Sequence, residues 1–178
     1  MNFEEKTLKE NVIYEGRIIT LHVDDIELPD GSKAIREVVE HSGGVCVVAV
    51  DDEINIYMVR QFRYAIGRAV LEIPAGKLEK GEDPLEAAKR ELSEETGFTA
   101  EKWLSLGEMY PTPGYCSEKL YVYLARNLAA GEAHLDDGEI LTAEKMKLSD
   151  VVKMIMDCKI SDAKTVFGVL KADKLLND

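Results

Sequence analysis

Basic side chains are scarce in this sequence. Lys and Arg number 22 against 34 Asp and Glu, a net charge of −12 over 178 residues. Nucleic-acid and anionic membrane-surface binders carry a basic footprint, so no nucleic acid and no membrane is expected as a partner. A polyphosphate substrate stays open, because bound metal ions can reverse a local field. Cysteine is almost missing as well. Cys46, Cys116 and Cys158 are odd in number, widely spaced and without a C-x-x-C, so neither a disulfide framework nor a zinc site is suggested. Reduced thiols in a cytoplasmic protein are the expectation, with Cys116 buried and inert. Long apolar runs are absent: Val45 to Val50 is the longest, far below the ~20 residues needed to cross a bilayer. The N-terminal MNFEEKTLKENVIYEG has no apolar signal core. No repeat, low-complexity segment or interdomain linker occurs. What the chain does hold is 46% hydrophobic residues, enough for the core of one domain with an N-terminal extension.

The chain is organised around the stretch from Gly76 to Phe98, GKLEKGEDPLEAAKRELSEETGF. Its second half predicts a helix. Asp83 is an N-cap, Pro84 sits where a missing N–H costs nothing, Glu86 completes a capping box, and Gly97 is a left-handed stop. At helical spacing Leu85, Ala88, Leu92 and Thr96 form one stripe. Glu91 and Glu95 lie one turn apart beside it, flanked by Glu94. Like charges at i,i+4 repel by a few tenths of a kcal/mol, and only Lys89 and Arg90 stand near to relieve them. Such a face is either a solvated acidic surface or a grip for a hard divalent cation, which takes carboxylate oxygens and substrate phosphates.

The longer pattern chooses between these. Gly76, Glu82 and the run Arg90-Glu91-Leu92-Ser93-Glu94-Glu95-Thr96-Gly97-Phe98 stand at the spacing of the Nudix signature, with Phe98 the one mild departure, since a smaller aliphatic residue is commoner there. The chain resembles the Nudix hydrolases. Further features are similar to the ADP-ribose pyrophosphatase branch: Pro113 sixteen residues beyond Gly97, Gln61-Phe62-Arg63, the Glu-Ile-Pro-Ala-Gly approach to Gly76, and Asp162-Ala163-Lys164-Thr165. The resemblance spans about residues 5 to 172.

The order of elements is read from local patterns. Residues 1–41 form an N-terminal β extension, with strands at Ile18 to Val23, Asp25 to Leu28 and Ala34 to Glu40 around a Pro29-Asp30-Gly31-Ser32 turn. Residues 42–178 form the catalytic domain. Its strands are expected at Val45 to Val50, Ile54 to Val59, Val70 to Ile73, Trp103 to Met109, Leu120 to Leu124 and Lys145 to Leu148, with residues 65–69 as a loop. Helices follow from a Ser149 cap to Met156 and from Ala163 to Leu176. Pro111 to Tyr115 is a rigid loop. His22, His41 and His134 are ordinary surface or strand-end histidines. The expected class is α/β (α+β): the Nudix fold, a mixed sheet between helices, with N-terminal antiparallel strands.

The resemblance also implies roles. Glu91, Glu94 and Glu95, with the Ala75 carbonyl, would ligate Mg²⁺, for which Mn²⁺ can substitute. Glu139, in the acidic segment Leu135 to Ile140, would act on the nucleophilic water or as a further ligand; the alternative is a solvated loop. Arg90 orients a box glutamate or touches substrate. Gly76, Glu82 and Gly97 are structural. Arg36, Arg63, Pro113, Gly114 and Glu118 are candidates for substrate binding, against the plainer readings of Pro113 as a loop-stiffener and Arg63 as a strand-end salt bridge. The implied reaction is Mg²⁺-dependent hydrolysis of ADP-ribose to AMP and ribose 5-phosphate by a homodimer with exchanged N-terminal strands. The alternatives are another nucleoside diphosphate sugar, a GDP- or UDP-hexose, and a non-catalytic ADP-ribose-sensing domain. A clean-up role on oxidised nucleoside triphosphates would leave the extra strands and Pro113 without purpose.

Overall fold

The computed structural model describes residues 2–135, 138 and 140–177. They fall into two compact units: Met1–Gly43 with Tyr110–Lys119, and Gly44–Met109 with Leu120–Asp178. The first unit is built on a single long strand. The two strands expected on either side of Asp24 are one, β3 (Ile19–Glu27), because partners on both edges keep it extended. Two short strands absent from the sequence reading, β1 (Lys6–Lys9) and β2 (Val12–Glu15), lie end to end along one edge, and β4 (Lys33–His41) pairs antiparallel along the other. β1 and β2 are exposed throughout, so no buried face imposes a period-2 pattern on them. The 110–119 loop joins this unit by backbone pairing: Val39 donates to the Tyr115 carbonyl at 2.7 Å, and Ser117 donates to the Val39 carbonyl at 2.9 Å.

The second unit is a mixed seven-stranded sheet. Its strands are β5 (Gly44–Val50), β6 (Asn55–Arg63), β7 (Arg68–Glu72), β8 (Ala75–Lys77), β9 (Phe98–Met109), β10 (Leu120–Ala130) and β11 (Leu141–Lys147). The order is β11-β6-β5-β10-β9, with β7 on β6 and β8 on β5. β5 and β10 run parallel, and the other pairs are antiparallel. The expected 65–69 loop is instead a 3-10 turn, Tyr64–Ile66, ending at a left-handed Gly67. β9, β10 and β11 extend beyond the expected spans because ladder partners continue past the apolar positions.

Among the described residues three helices, α1 (Pro84–Thr96), α2 (Leu148–Met156) and α3 (Ala163–Asn177), cover the sheet. The unbroken apolar run of β5 is explained by burial on both faces. Val45, Val47 and Ala49 pack with Ala87, Ala88 and Leu92 of α1. Cys46, Val48 and Val50 point the other way, into the core with Leu148, Val151 and Ile155 of α2 and Val169 and Ala172 of α3. Leu92 is wholly buried; truncating such a leucine to alanine costs about 2–5 kcal/mol. α3 approaches closely because residue 168 is glycine: a Cβ there would stand 2.9 Å from Val48 Cγ2 and 3.1 Å from Ile73 Cδ1. The Ser149 cap is not used. Lys147 occupies the N-cap without a side-chain bond, and Ile54 supplies the carbonyl for the Leu148 N–H at 3.1 Å. The turn between β5 and β6 is organised by Asp51, which accepts from the Asn55 N–H at 2.8 Å, the Glu53 N–H at 3.0 Å and Lys145 Nζ at 2.8 Å. These bonds hold Ile54 at φ 59°, a conformation a β-branched residue otherwise avoids.

Candidate active site

The site begins with the capping of α1. Asp83 accepts from the Leu85 N–H at 2.9 Å and the Glu86 N–H at 3.2 Å, with Pro84 at the first helical position. The Glu86 carboxylate is taken by Lys89 at 2.7 Å rather than closing a reciprocal box. Gly97 ends the helix at φ 73°, and its N–H reaches the Ser93 carbonyl at 2.9 Å. It is needed a second time, because a Cβ there would lie 2.8 Å from Ala133 N. The chain crossing at that point is tied down by Gly131 N–H to the Gly97 carbonyl at 2.7 Å and His134 N–H to the Glu94 carbonyl at 3.0 Å. The segment leading toward Glu139 is therefore anchored on the last turn of α1. Glu139 itself lies outside the described residues.

The carboxylates of α1 are held in three different ways. Glu95, only 3% exposed, falls on the buried stripe with Ala88 and Leu92, and its Oε2 accepts the Ala75 N–H at 3.0 Å. Glu91 presses against Gly76, where a Cβ would fall 1.9–2.2 Å from the carboxyl atoms. Gly76 thus serves close approach, and any side chain there would displace the Glu91 carboxylate. Glu94 and Glu91 share one guanidinium nitrogen: Arg90 Nη1 donates to Glu91 Oε1 at 2.8 Å and to Glu94 Oε2 at 2.9 Å. The other edge of Arg90 forks onto Glu82, with Nε to Oε1 at 3.0 Å and Nη2 to Oε2 at 3.2 Å, and Nη2 also reaches the Lys77 carbonyl at 3.3 Å. The Glu82 bond, with Glu91 and Glu94 behind it, outweighs burial and holds the Arg90 pKa above the usual guanidinium value. The same bond pulls Glu82 below the usual carboxylate range. Arg90 therefore does for the helix what interleaved lysines would otherwise do: forked onto Glu82, a geometry lysine lacks, it presents one nitrogen to both Glu91 and Glu94.

A second constellation lies at the start of the 72–75 segment. Glu72 is 1% exposed, and Arg63 forks onto it with Nε to Oε1 at 2.7 Å and Nη2 to Oε2 at 2.9 Å. Lys164 Nζ also bonds Glu72 Oε2, and reaches Asp162 Oδ1 at 3.0 Å. The Glu72 bond raises the Arg63 pKa against the opposing effect of burial, with Glu95 and Asp162 adding to it. The sequence alone assigns Glu72 and Lys164 no individual role. A lone glutamate between Leu71 and Ile73, in an otherwise apolar strand end, was the available signal.

The structure therefore brings Ala75, Gly76, Glu82, Arg90, Glu91, Glu94 and Glu95 together, and sets Arg63 within electrostatic reach of Glu95. Arg36, Pro113, Gly114 and Glu118 belong to the first unit. There Arg36 forks onto Glu5 at 2.9 and 2.5 Å. Thr112 closes the Pro113-Gly114 turn by accepting from the Tyr115 and Cys116 N–H groups at 3.3 and 3.0 Å. Glu118 lies 3.8 Å from His41 Nδ1, which accepts from the Gly43 N–H at 3.0 Å. Among the described residues no three His, Cys, Asp or Glu side chains form a ready-made metal cluster; Arg90 stands between the box carboxylates instead. The donors nonetheless suit a hard cation. They are all oxygens, the three carboxylates are carried by one rigid helix, and Gly76 leaves room for the Glu91 carboxylate beside the strand that bears the Ala75 carbonyl.

Comparison with known proteins identifies the class. Residues 40–166 match the NUDIX domain, and residues 5–39 match the nucleoside diphosphate sugar hydrolase N-terminal domain. The chain belongs to the Nudix family of hydrolases. It is 44% identical over 170 residues to an ADP-ribose pyrophosphatase of Bacillus subtilis, covering 94% of this chain and 92% of that one. It is 43% identical over 169 residues to a methanol dehydrogenase activator of Bacillus methanolicus, covering 94% and 91%. The crystal structure of an ADP compounds hydrolase shares the fold, with a TM-score of 0.86 at 23% identity over 99% of this chain and 97% of that chain.

Proposed function

We propose that this Nudix hydrolase cleaves the pyrophosphate bond of ADP-ribose to AMP and ribose 5-phosphate, with Mg²⁺ as the natural ion and Mn²⁺ as a substitute. The observation that carries the substrate is 44% identity over 94% of the chain to an ADP-ribose pyrophosphatase, beside the match of residues 5–39 to a nucleoside diphosphate sugar hydrolase N-terminal domain. The chemistry is supported by the box carboxylates. Glu91, Glu94, Glu95 and the Ala75 carbonyl would hold the metal, whose part is to offset diphosphate charge and lower the pKa of a bound water. The protein's own work is positional. Gly76 lets Glu91 reach its place, Arg90 aligns Glu91 with Glu94, and the Ala75 N–H fixes one oxygen of Glu95. Glu139 is the proposed base for the attacking water. Arg36, Arg63, Pro113, Gly114 and Glu118 are proposed substrate contacts.

Homodimerisation through the first unit, residues 1–41 with their strands exchanged, accords with the exposed Val12, Ile13, Tyr14, Ile18 and Ile35 there. No helix among the described residues is long and apolar enough to cross a membrane; a cytoplasmic location is part of the proposal. The test is a Mg²⁺-dependent panel of ADP-ribose, GDP-hexose and UDP-hexose, with products separated chromatographically. AMP and ribose 5-phosphate from ADP-ribose should dominate. A preference for a GDP-hexose would overturn the substrate, and binding of ADP-ribose without turnover would favour a sensing domain. Similarity to the methanol dehydrogenase activator favours a second reading, that the chain raises the rate of a methanol dehydrogenase. Adding the protein to that enzyme in a coupled assay tests it directly.

A further inference from the structure

Ile73 and Pro74, the two residues between β7 and β8, lead to the Ala75 carbonyl, and this stretch is pinned from both faces of the sheet. On the α1 side, Ala75 N–H donates to Glu95 Oε2 at 3.0 Å. Within the sheet, Val47 N–H donates to the Pro74 carbonyl at 2.9 Å. On the opposite side stands the first turn of α3. Thr165, wholly buried, accepts the Ile73 N–H on Oγ1 at 3.0 Å and donates from the same hydroxyl to Asp162 Oδ2 at 2.6 Å. Asp162 Oδ2 also caps the helix by accepting the Thr165 N–H at 3.0 Å. Its other oxygen takes Lys164 at 3.0 Å, and Lys164 bonds Glu72, the residue before Ile73.

Each of these side chains touches a neighbour of the site rather than the site itself. A buried ion pair adds little net stability over apolar packing of the same volume, so the worth of this one lies in geometry. Ligands held by a second set of partners are placed to fractions of an ångström, and losing such a partner typically weakens metal binding 10–100-fold.

We propose that Asp162, Lys164 and Thr165 are positioning residues for the metal-holding end of the site: through Glu72 and the Ile73 N–H they set the 72–75 backbone, and so the Ala75 carbonyl and the oxygen of Glu95 that its N–H fixes. The proposal rests on the reading that Ala75 and Glu95 face a divalent ion, and the test separates the two.

Mn²⁺ binding is measured by electron paramagnetic resonance on substrate-free protein, so that the readout is independent of turnover. Wild type, Lys164→Met, Thr165→Val and the conservative Thr165→Ser are compared, with folding checked by circular dichroism. Lys164→Met and Thr165→Val are expected to weaken Mn²⁺ about 10-fold or more. At saturating metal the nucleotide KM should move less than about 3-fold while kcat falls, and Thr165→Ser should retain wild-type affinity. Should Lys164→Met fail to fold, the Thr165 pair decides. Equal Mn²⁺ affinity in wild type and Thr165→Val would overturn the proposal while leaving the reaction intact. Absence of Mn²⁺ binding by wild type would overturn both.

Discussion

Replacing Gly76 by alanine adds one methyl group and confronts it with one carboxylate. The new carbon would lie 1.9–2.2 Å from three atoms of the Glu91 carboxyl group, whereas ordinary contacts are about 3.5–4.0 Å. The Cα path is set by pairing of β8 with β5 on residues 75–77, so the side chain gives way. The Glu91 carboxylate must retreat by more than about 1 Å, which breaks its 2.8 Å bond to Arg90 Nη1. Misplacement on that scale typically costs about 100-fold in rate, equivalent to ~2.7 kcal/mol of transition-state stabilisation. Stability should change far less. Glu91 is a flexible side chain, and Gly→Ala removes ~0.4–1 kcal/mol of unfolded-state entropy where the backbone is compatible. Urea unfolding is therefore expected within about 1 kcal/mol of wild type, with turnover down at least 100-fold. A control is Gly81→Ala, at φ 80° with open space around the added carbon; it strains the backbone by about 1–2 kcal/mol but spares activity. Shortening the neighbour, Glu91→Asp in the Gly76→Ala background, should recover part of the lost rate. If Gly76→Ala turned over within about 3-fold of wild type, Glu91 could not be working from the place it occupies here, and the account of the site would be wrong.

Three further perturbations probe other parts of the same scheme. Glu95→Gln keeps an acceptor for the Ala75 N–H but loses the charge, so turnover should fall at least ~100-fold with Tm within about 3 °C of wild type; Glu95→Ala should cost a further ~1–3 kcal/mol, read by urea, because that N–H is then orphaned. Arg90→Lys loses the fork onto Glu82 and the shared bond to Glu91 and Glu94, so the Mg²⁺ needed for half-maximal rate should rise about 10-fold or more, and an unchanged Mg²⁺ titration would contradict an aligning role. For Asp51, burial is outweighed by Lys145 and by the Asn55 bonds, and its pKa is lowered from 3.8 to about 2. A depressed carboxylate contributes stability that is present above pH 3.8 and is lost as pH falls toward 2. Screening at the half-exposed Lys145 limits this to about 1 kcal/mol, so Asp51→Asn should lower urea stability at pH 6 and lose most of that deficit at pH 2.

What could be read directly from the sequence is what depends on neighbours a few residues apart. The Asp83 cap, Pro84 and the left-handed Gly97 sit where their local chemistry requires, and the i,i+4 spacing of Glu91 and Glu95 carries over to the folded helix. The unbroken Val45–Val50 run reads as a buried strand because two-sided burial leaves no polar position in it. Tertiary structure alone decided which charges meet. Glu72 and Lys164 are 92 residues apart, and no periodicity in either segment points to the other. Nor does α1 reveal that Gly76, fifteen positions before Glu91, exists to admit that carboxylate, or that Gly97 must also clear the chain at Ala133. Short exposed strands such as β1 and β2 are specified by β3 beside them rather than by their own pattern. Caps and helical spacing are local properties of the backbone, whereas close approach and buried pairing arise only once the sheet has brought distant segments together.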